Sequence, residues 1–135
     1  MRNVKALLMV PDNQYPSIFE YYCLVIPVGW SPSVDINGCN FEVRQLNPGI
    51  SDTCKAIVSG DNNEFCIANT VIVCTTAGTG DAVHIDMENE FNNDYTMTGL
   101  TVNGALNALP SCTNRLIVEY VRQDNGVRSL YDSMA

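Results

Sequence analysis

The sequence predicts an all-β fold: a single antiparallel β-sandwich over residues 1–135, with jelly-roll connectivity as a variant and a small barrel as the second choice. Three observations predict it. Turn-forming clusters of Gly, Pro, Asn and Asp recur about every 8–15 residues throughout. The segments between them are rich in Val, Ile, Thr and aromatic side chains. No stretch has the long amphipathic period of a crossover helix, so a doubly wound parallel sheet is not expected. No internal repeat, linker or low-complexity segment stands out.

The elements follow in order. Val4–Val10 reads as a first strand, stopped by Pro11-Asp12-Asn13. Ile18–Val28 is apolar or aromatic at both parities: Ile18, Tyr22, Leu24 and Ile26 alternate with Phe19, Tyr21, Cys23 and Val25. Such a strand is covered on both faces or meets a partner protein. Val34–Ile36, Asn37-Gly38 and Cys39–Leu46 form a hairpin pattern, because Asn-Gly supplies two positive-φ residues for a type I′ turn. Pro48-Gly49 is a further turn, Cys54–Ser59 a short strand and Gly60–Asn63 a loop.

Phe65–Thr75 is β-rich, and Gly78-Thr79-Gly80-Asp81 ends it. In Ala82–Phe91, Val83, Ile85 and Met87 alternate with His84, Asp86, Glu88 and Glu90, the pattern of a half-solvated strand. Tyr95–Asn103 is Thr-rich. Residues 104–109 suit one or two helical turns, the only helix expected, stopped by Pro110. Arg115–Gln123 is a strong strand, and Asp124-Asn125-Gly126 turns it back into Val127–Tyr131. About eight to ten strands result.

Composition bounds the function. Apolar residues make up 46% and charged residues 16%, with 15 Asn and nine Thr supplying polarity. That apolar fraction is enough for a core and excludes wholesale disorder. The net charge is −8, with only Lys5, Lys55 and five scattered Arg as cations. A nucleic-acid binder clusters its cations against phosphate, and an anionic membrane repels this field, so neither partner is expected. The longest apolar run, Tyr21–Val28, falls short of the ~18 residues of a membrane span. Ala6–Val10 is too short for a signal-peptide core, which places synthesis in the cytosol.

Cys23, Cys39, Cys54, Cys66, Cys74 and Cys112 contain no close pair, and His84 is the single histidine, so structural zinc is not expected. Buried free thiols are the default without an export signal, and disulfides formed after release are the alternative.

The most suggestive stripe is His84-Ile85-Asp86-Met87-Glu88-Asn89-Glu90. Carboxylates at period two lie about 6.5–7 Å apart and suit either a solvent face or paired acid chemistry. Its Ile85-Asp86-Met87-Glu88 core resembles the carboxylate-bearing strand of jelly-roll glucanases. The resemblance implies glycoside hydrolysis, but His84 occupies the place of the first carboxylate. Asp86, Glu88, Glu90 and Asp94 also offer hard oxygen ligands, although Phe91 and Met97 stand where an EF-hand needs Gly and Glu. Asp61–Glu64 is a second acidic turn. Gly78-Thr79-Gly80 lacks the Lys of a phosphate loop, and no G-x-S-x-G is present. Trp30, with Tyr15, Tyr21 and Tyr22 nearby in sequence, suits a stacking patch or an interface anchor.

These readings converge on a protein without catalytic, cofactor or metal residues. The expected function is structural: a small virion component, such as a phage capsid decoration (cement) protein, that stabilises a shell by bridging neighbouring subunits. Its partners are protein, capsid or other assembly subunits and copies of itself, and its place is the virion. The start Met1 and final Ala135, with no affinity tag, fit native material held at its ends by neighbours. A carbohydrate- or ligand-binding sandwich is the alternative, and a small carboxylate-dependent hydrolase the second alternative.

Overall fold

A computed structural model describes residues 1–10, 20–26, 33–59, 64–87, 94–106, 108–110, 115–124, 126–128 and 131–134. Their regular structure is entirely strand: β1 Lys5–Met9, β2 Glu20–Ile26, β3 Ser33–Asn37, β4 Asn40–Gln45, β5 Thr53–Ser59, β6 Glu64–Ala68, β7 Val71–Thr76, β8 Ala82–Met87, β9 Asp94–Thr98, β10 Thr101–Val102, β11 Ala108–Pro110, β12 Arg115–Glu119, β13 Val121–Gln123, β14 Gly126–Arg128 and β15 Tyr131–Met134. The helical turns expected over 104–109 are replaced by bends at 103–105 and by β11.

The strands fall into three sheets, visited in rotation. Sheet I has the order β1-β4-β7-β10-β13-β14, sheet II β2-β5-β8-β11, and sheet III β3-β6-β9-β12-β15. Neighbours pair in parallel, except β13 with β14 and β12 with β15. The chain is therefore a β-solenoid, and the antiparallel sandwich expected from the sequence is overturned. Parallel pairing needs a long crossover, and a helix is only its commonest form. Here the two other strands of each turn provide it. Lys5, Asn40, Val71, Thr101 and Arg122 stack in register on sheet I, so successive turns take 35, 31, 30 and 21 residues. A period this uneven leaves no visible repeat.

The corner between sheets III and I explains several corrected elements. Asn3, Gly38, Asn69, Gly99 and Tyr120 all have positive φ, and each lies two residues before a stacked register position. One left-handed residue turns the chain, and Asn or Gly adopts that conformation at least cost. The residues after the last four, Cys39, Thr70, Leu100 and Val121, dive into the interior. A Cβ on Gly38 or Gly99 would stand 2.7 Å from the side-chain oxygen of Asn3 or Asn69, so Gly avoids that contact as well as the strain of a positive φ. Asn37-Gly38 is thus a corner between sheets and no type I′ hairpin: Gly38 alone has positive φ, and β3 and β4 pair with other strands. The same corner divides three segments read as single strands, at Asn69, Gly99 and Tyr120. The hairpin of β13 and β14 forms as expected, with Gln123 opposite Gly126.

A second corner joins sheets I and II. There Gly78 and Gly80 lie directly against the preceding turn, where a Cβ would be 1.6 Å from the Ile50 carbonyl oxygen and 1.9 Å from that of Asp52. The interior is filled by Ile36, Phe41, Val43, Ile57, Phe65, Ile67, Ile72, Ile85 and Met97. Sheet II departs from strict alternation. The bridge ladder skips Cys23, Ala56 and His84, and the adjacent pairs Cys23-Leu24 and Ala56-Ile57 both pack on the core.

Candidate functional site

Sheet II carries a charged cluster on its outer face. Lys55 on β5 places its Nζ 2.8 Å from Asp86 Oδ2 on β8 and 3.6 Å from Glu20 Oε1 on β2. The ammonium also lies 5.9 Å from the centre of the Tyr22 ring, within cation–π range. The Tyr22 hydroxyl donates to Glu20 Oε2. That bond, and then the Lys55 charge, hold the Glu20 carboxyl below its ordinary range. Lys55 and Asp86 are buried, whereas Glu20 and Tyr22 reach solvent. A buried charge requires a partner in contact, and three strands one turn apart supply it. The outer end of the cluster presents a carboxylate beside an aromatic ring.

His84 belongs to a separate, inner network. Asn103 follows β10 and continues it with its side chain: its Oδ1 accepts from Cys74 N at 2.9 Å, and its Nδ2 donates to Cys74 O at 2.9 Å. The amide stands in for a strand residue where β10 has ended. These two bonds fix the amide's orientation, so His84 Nε2, 2.9 Å from Oδ1, is the donor. Burial pushes the His84 pKa below its ordinary 6.5.

The stripe expected to face solvent is therefore corrected. His84 is 3% exposed and Asp86 7%, and they serve different networks. Alternation misled because both faces of β8 are covered in the middle of the solenoid. Glu88, Glu90, Trp30, Tyr15, Cys112 and the turn at 61–63 lie outside the described residues. Among the described residues no group of three or more His, Cys, Asp or Glu converges as a metal site. No helix among them is long and apolar enough to cross a membrane. Cys23, Cys39, Cys54, Cys66 and Cys74 are free thiols, of which only Cys66 is exposed. Burial raises the Cys54 thiol to about 11 and the Cys74 thiol to about 12, so neither supplies a thiolate near neutrality.

The first turn is built the opposite way. On β1 the side chains of Ala6 and Leu8 pack on the core, and those of Lys5, Leu7 and Met9 point outward. Leu7 is 60% exposed and Met9 49%. Leu46, just after β4 on the next turn, is 57% exposed. Met9, Val10, Leu46, Asn47 and Pro48 line an open groove of about 450 Å³. The groove wall is set by the turn at Pro48-Gly49, where Gly49 N donates to Asn47 Oδ1 and buried Gln45 donates to Asn47 O. The sequence reading missed this surface. Its signal was the unbroken apolar run Ala6–Val10, since a one-sided strand alternates. Compared with family models, curated proteins and solved structures, the chain matches none.

Proposed function

We propose that the protein is a structural component that works by adhesion, a small shell or virion part of the decoration type, bridging neighbouring protein subunits. The observation that carries this reading is the apolar surface of β1 and the turn after β4, where Leu7, Met9 and Leu46 stand in solvent and Met9 and Leu46 line the groove. Large apolar side chains grouped on an open surface mark a contact site. A rigid coil suits bridging, since its contact residues need little ordering on association.

The test is the state of the untagged protein in its source. It is expected to sediment with a larger assembly, and Leu46→Asp is expected to release a folded monomer. A wild-type chain that stays a lone monomer in the same extract contradicts the proposal. A second reading, a ligand-binding module, is favoured by Glu20 and Tyr22, an exposed carboxylate beside a ring above Lys55. It requires retention on a carbohydrate matrix that is lost in Tyr22→Ala and kept in Leu46→Asp.

A further inference from the structure

We propose that the free edge of β1 takes up an extended acidic segment of a partner protein as an added strand of sheet I. This deepens the assembly reading and rests on it. Among the described residues β1 ends sheet I, paired on one side with β4. The other end of that sheet is closed by β14, which runs antiparallel to β13. Val4 O accepts from Asn40 N, and Val10 N donates to Arg44 O. The even residues of β1 therefore bond to β4. The backbone N–H and C=O groups of Lys5, Leu7 and Met9 point at the free edge. Proteins usually guard such edges with Pro, a bulge or several charges. Here five consecutive residues run in regular register, with Lys5 as the one charge among them.

The charge selects the occupant. The ion pairs among the described residues join Arg44 to Glu42 and Lys55 to Glu20 and Asp86. Exposed Arg2 and Lys5 share none of them, in a chain with 15 acidic residues. A second copy of the edge would bring two more cations and no acid. An incoming strand with a carboxylate opposite Lys5 and an apolar residue beside Leu7 answers both the charge and the apolar stripe.

The probe is a terminally blocked peptide, Glu-Thr-Val-Thr-Glu, which reads alike in both strand directions. Fluorescence anisotropy at low salt should show saturable binding, at least tenfold tighter than for Lys-Thr-Val-Thr-Lys. Leu7→Pro removes a free-edge N–H and spares the bonds to β4, so it should weaken binding at least tenfold. Leu7→Thr keeps the N–H and should weaken it about threefold. Should Leu7→Pro fail to fold by circular dichroism, the peptide N-methylated at every amide replaces it, and it should not bind. Equal binding of the Lys peptide, or wild-type affinity in folded Leu7→Pro, overturns the inference. So does a concentration-dependent dimer that Leu7→Pro dissolves, which would give the edge to a second copy. If the peptide fails while Leu46→Asp still abolishes assembly, strand addition is wrong and the assembly reading stands.

Discussion

The middle turns of the solenoid and its first turn invert each other. In the middle, the outer face of sheet II buries an ammonium and a carboxylate, Lys55 and Asp86, and the interior holds a neutral imidazole, His84. On β1 and the turn after β4, two leucines and a methionine, Leu7, Leu46 and Met9, stand in water. A middle strand has a neighbour on each side, so a polar side chain there can find a partner one turn away. Among the described residues β1 has one neighbour in its sheet, and its outward apolar side chains stand exposed. The buried polar groups are accordingly read as structural, and the exposed apolar ones as the proposed contact surface.

Mutations can break that comparison. The largest effect is expected for Asp86→Ala, which removes the nearest carboxylate of the buried Lys55 ammonium, leaves it Glu20 at 3.6 Å, and should cost about 3 kcal/mol in denaturant unfolding. The double change Lys55→Met with Asp86→Leu should recover most of it. If the single change costs under about 1 kcal/mol, the pair is not a buried support. Next comes Asn103→Ala, which removes the side-chain partner of the Cys74 backbone N–H and C=O and of His84 Nε2. A cost of about 2–4 kcal/mol is expected, and Asn103→Asp should recover little, because a carboxylate cannot donate to Cys74 O.

A smaller effect is expected from pH. Burial places the His84 pKa below 6.5 in the folded chain, so the unfolded chain takes up the proton first as pH falls. The stability His84 contributes is complete above pH 6.5 and is lost as pH drops toward the folded value. The loss should not exceed about 1.4 kcal/mol per pH unit. Because His84 is the single histidine, a His84→Gln variant should flatten the fall in thermal stability as pH drops below 6.5. An unchanged slope would remove His84 from the account. The smallest effect belongs to the first turn: Leu46→Asp and Leu7→Thr should shift stability by no more than about 0.5 kcal/mol. A larger loss would mean that these side chains hold the fold together.

Local chemistry made part of this legible in the sequence. The strand content, the turns at Pro48-Gly49 and Gly78–Gly80 and the hairpin of β13 and β14 follow from residue type. Pairing partners did not, because turns of 35, 31, 30 and 21 residues hide the repeat. The corners were hidden for a related reason. One left-handed residue turns the chain, and at Asn69 and Tyr120 the flanking residues are ordinary strand formers. Stacking Asn3-Val4-Lys5, Gly38-Cys39-Asn40, Asn69-Thr70-Val71 and Gly99-Leu100-Thr101 would have exposed the coil. Tyr120 shows the limit of that signal. A bulky residue with positive φ is an outlier that no composition rule anticipates. The cluster around Lys55 was invisible because Glu20, Lys55 and Asp86 meet only through parallel register.

Amide hydrogen exchange along β1 in the isolated protein tests the contact surface most directly. The N–H groups of Ala6, Leu8 and Val10 bond toward β4, and those of Lys5, Leu7 and Met9 face the open edge. The account predicts slow exchange at the even positions and fast exchange at the odd ones, with the odd ones slowing when the acidic peptide is added. Equal protection at both sets in the isolated chain would mean that the edge is already covered, and the first turn would lose its role as the contact surface.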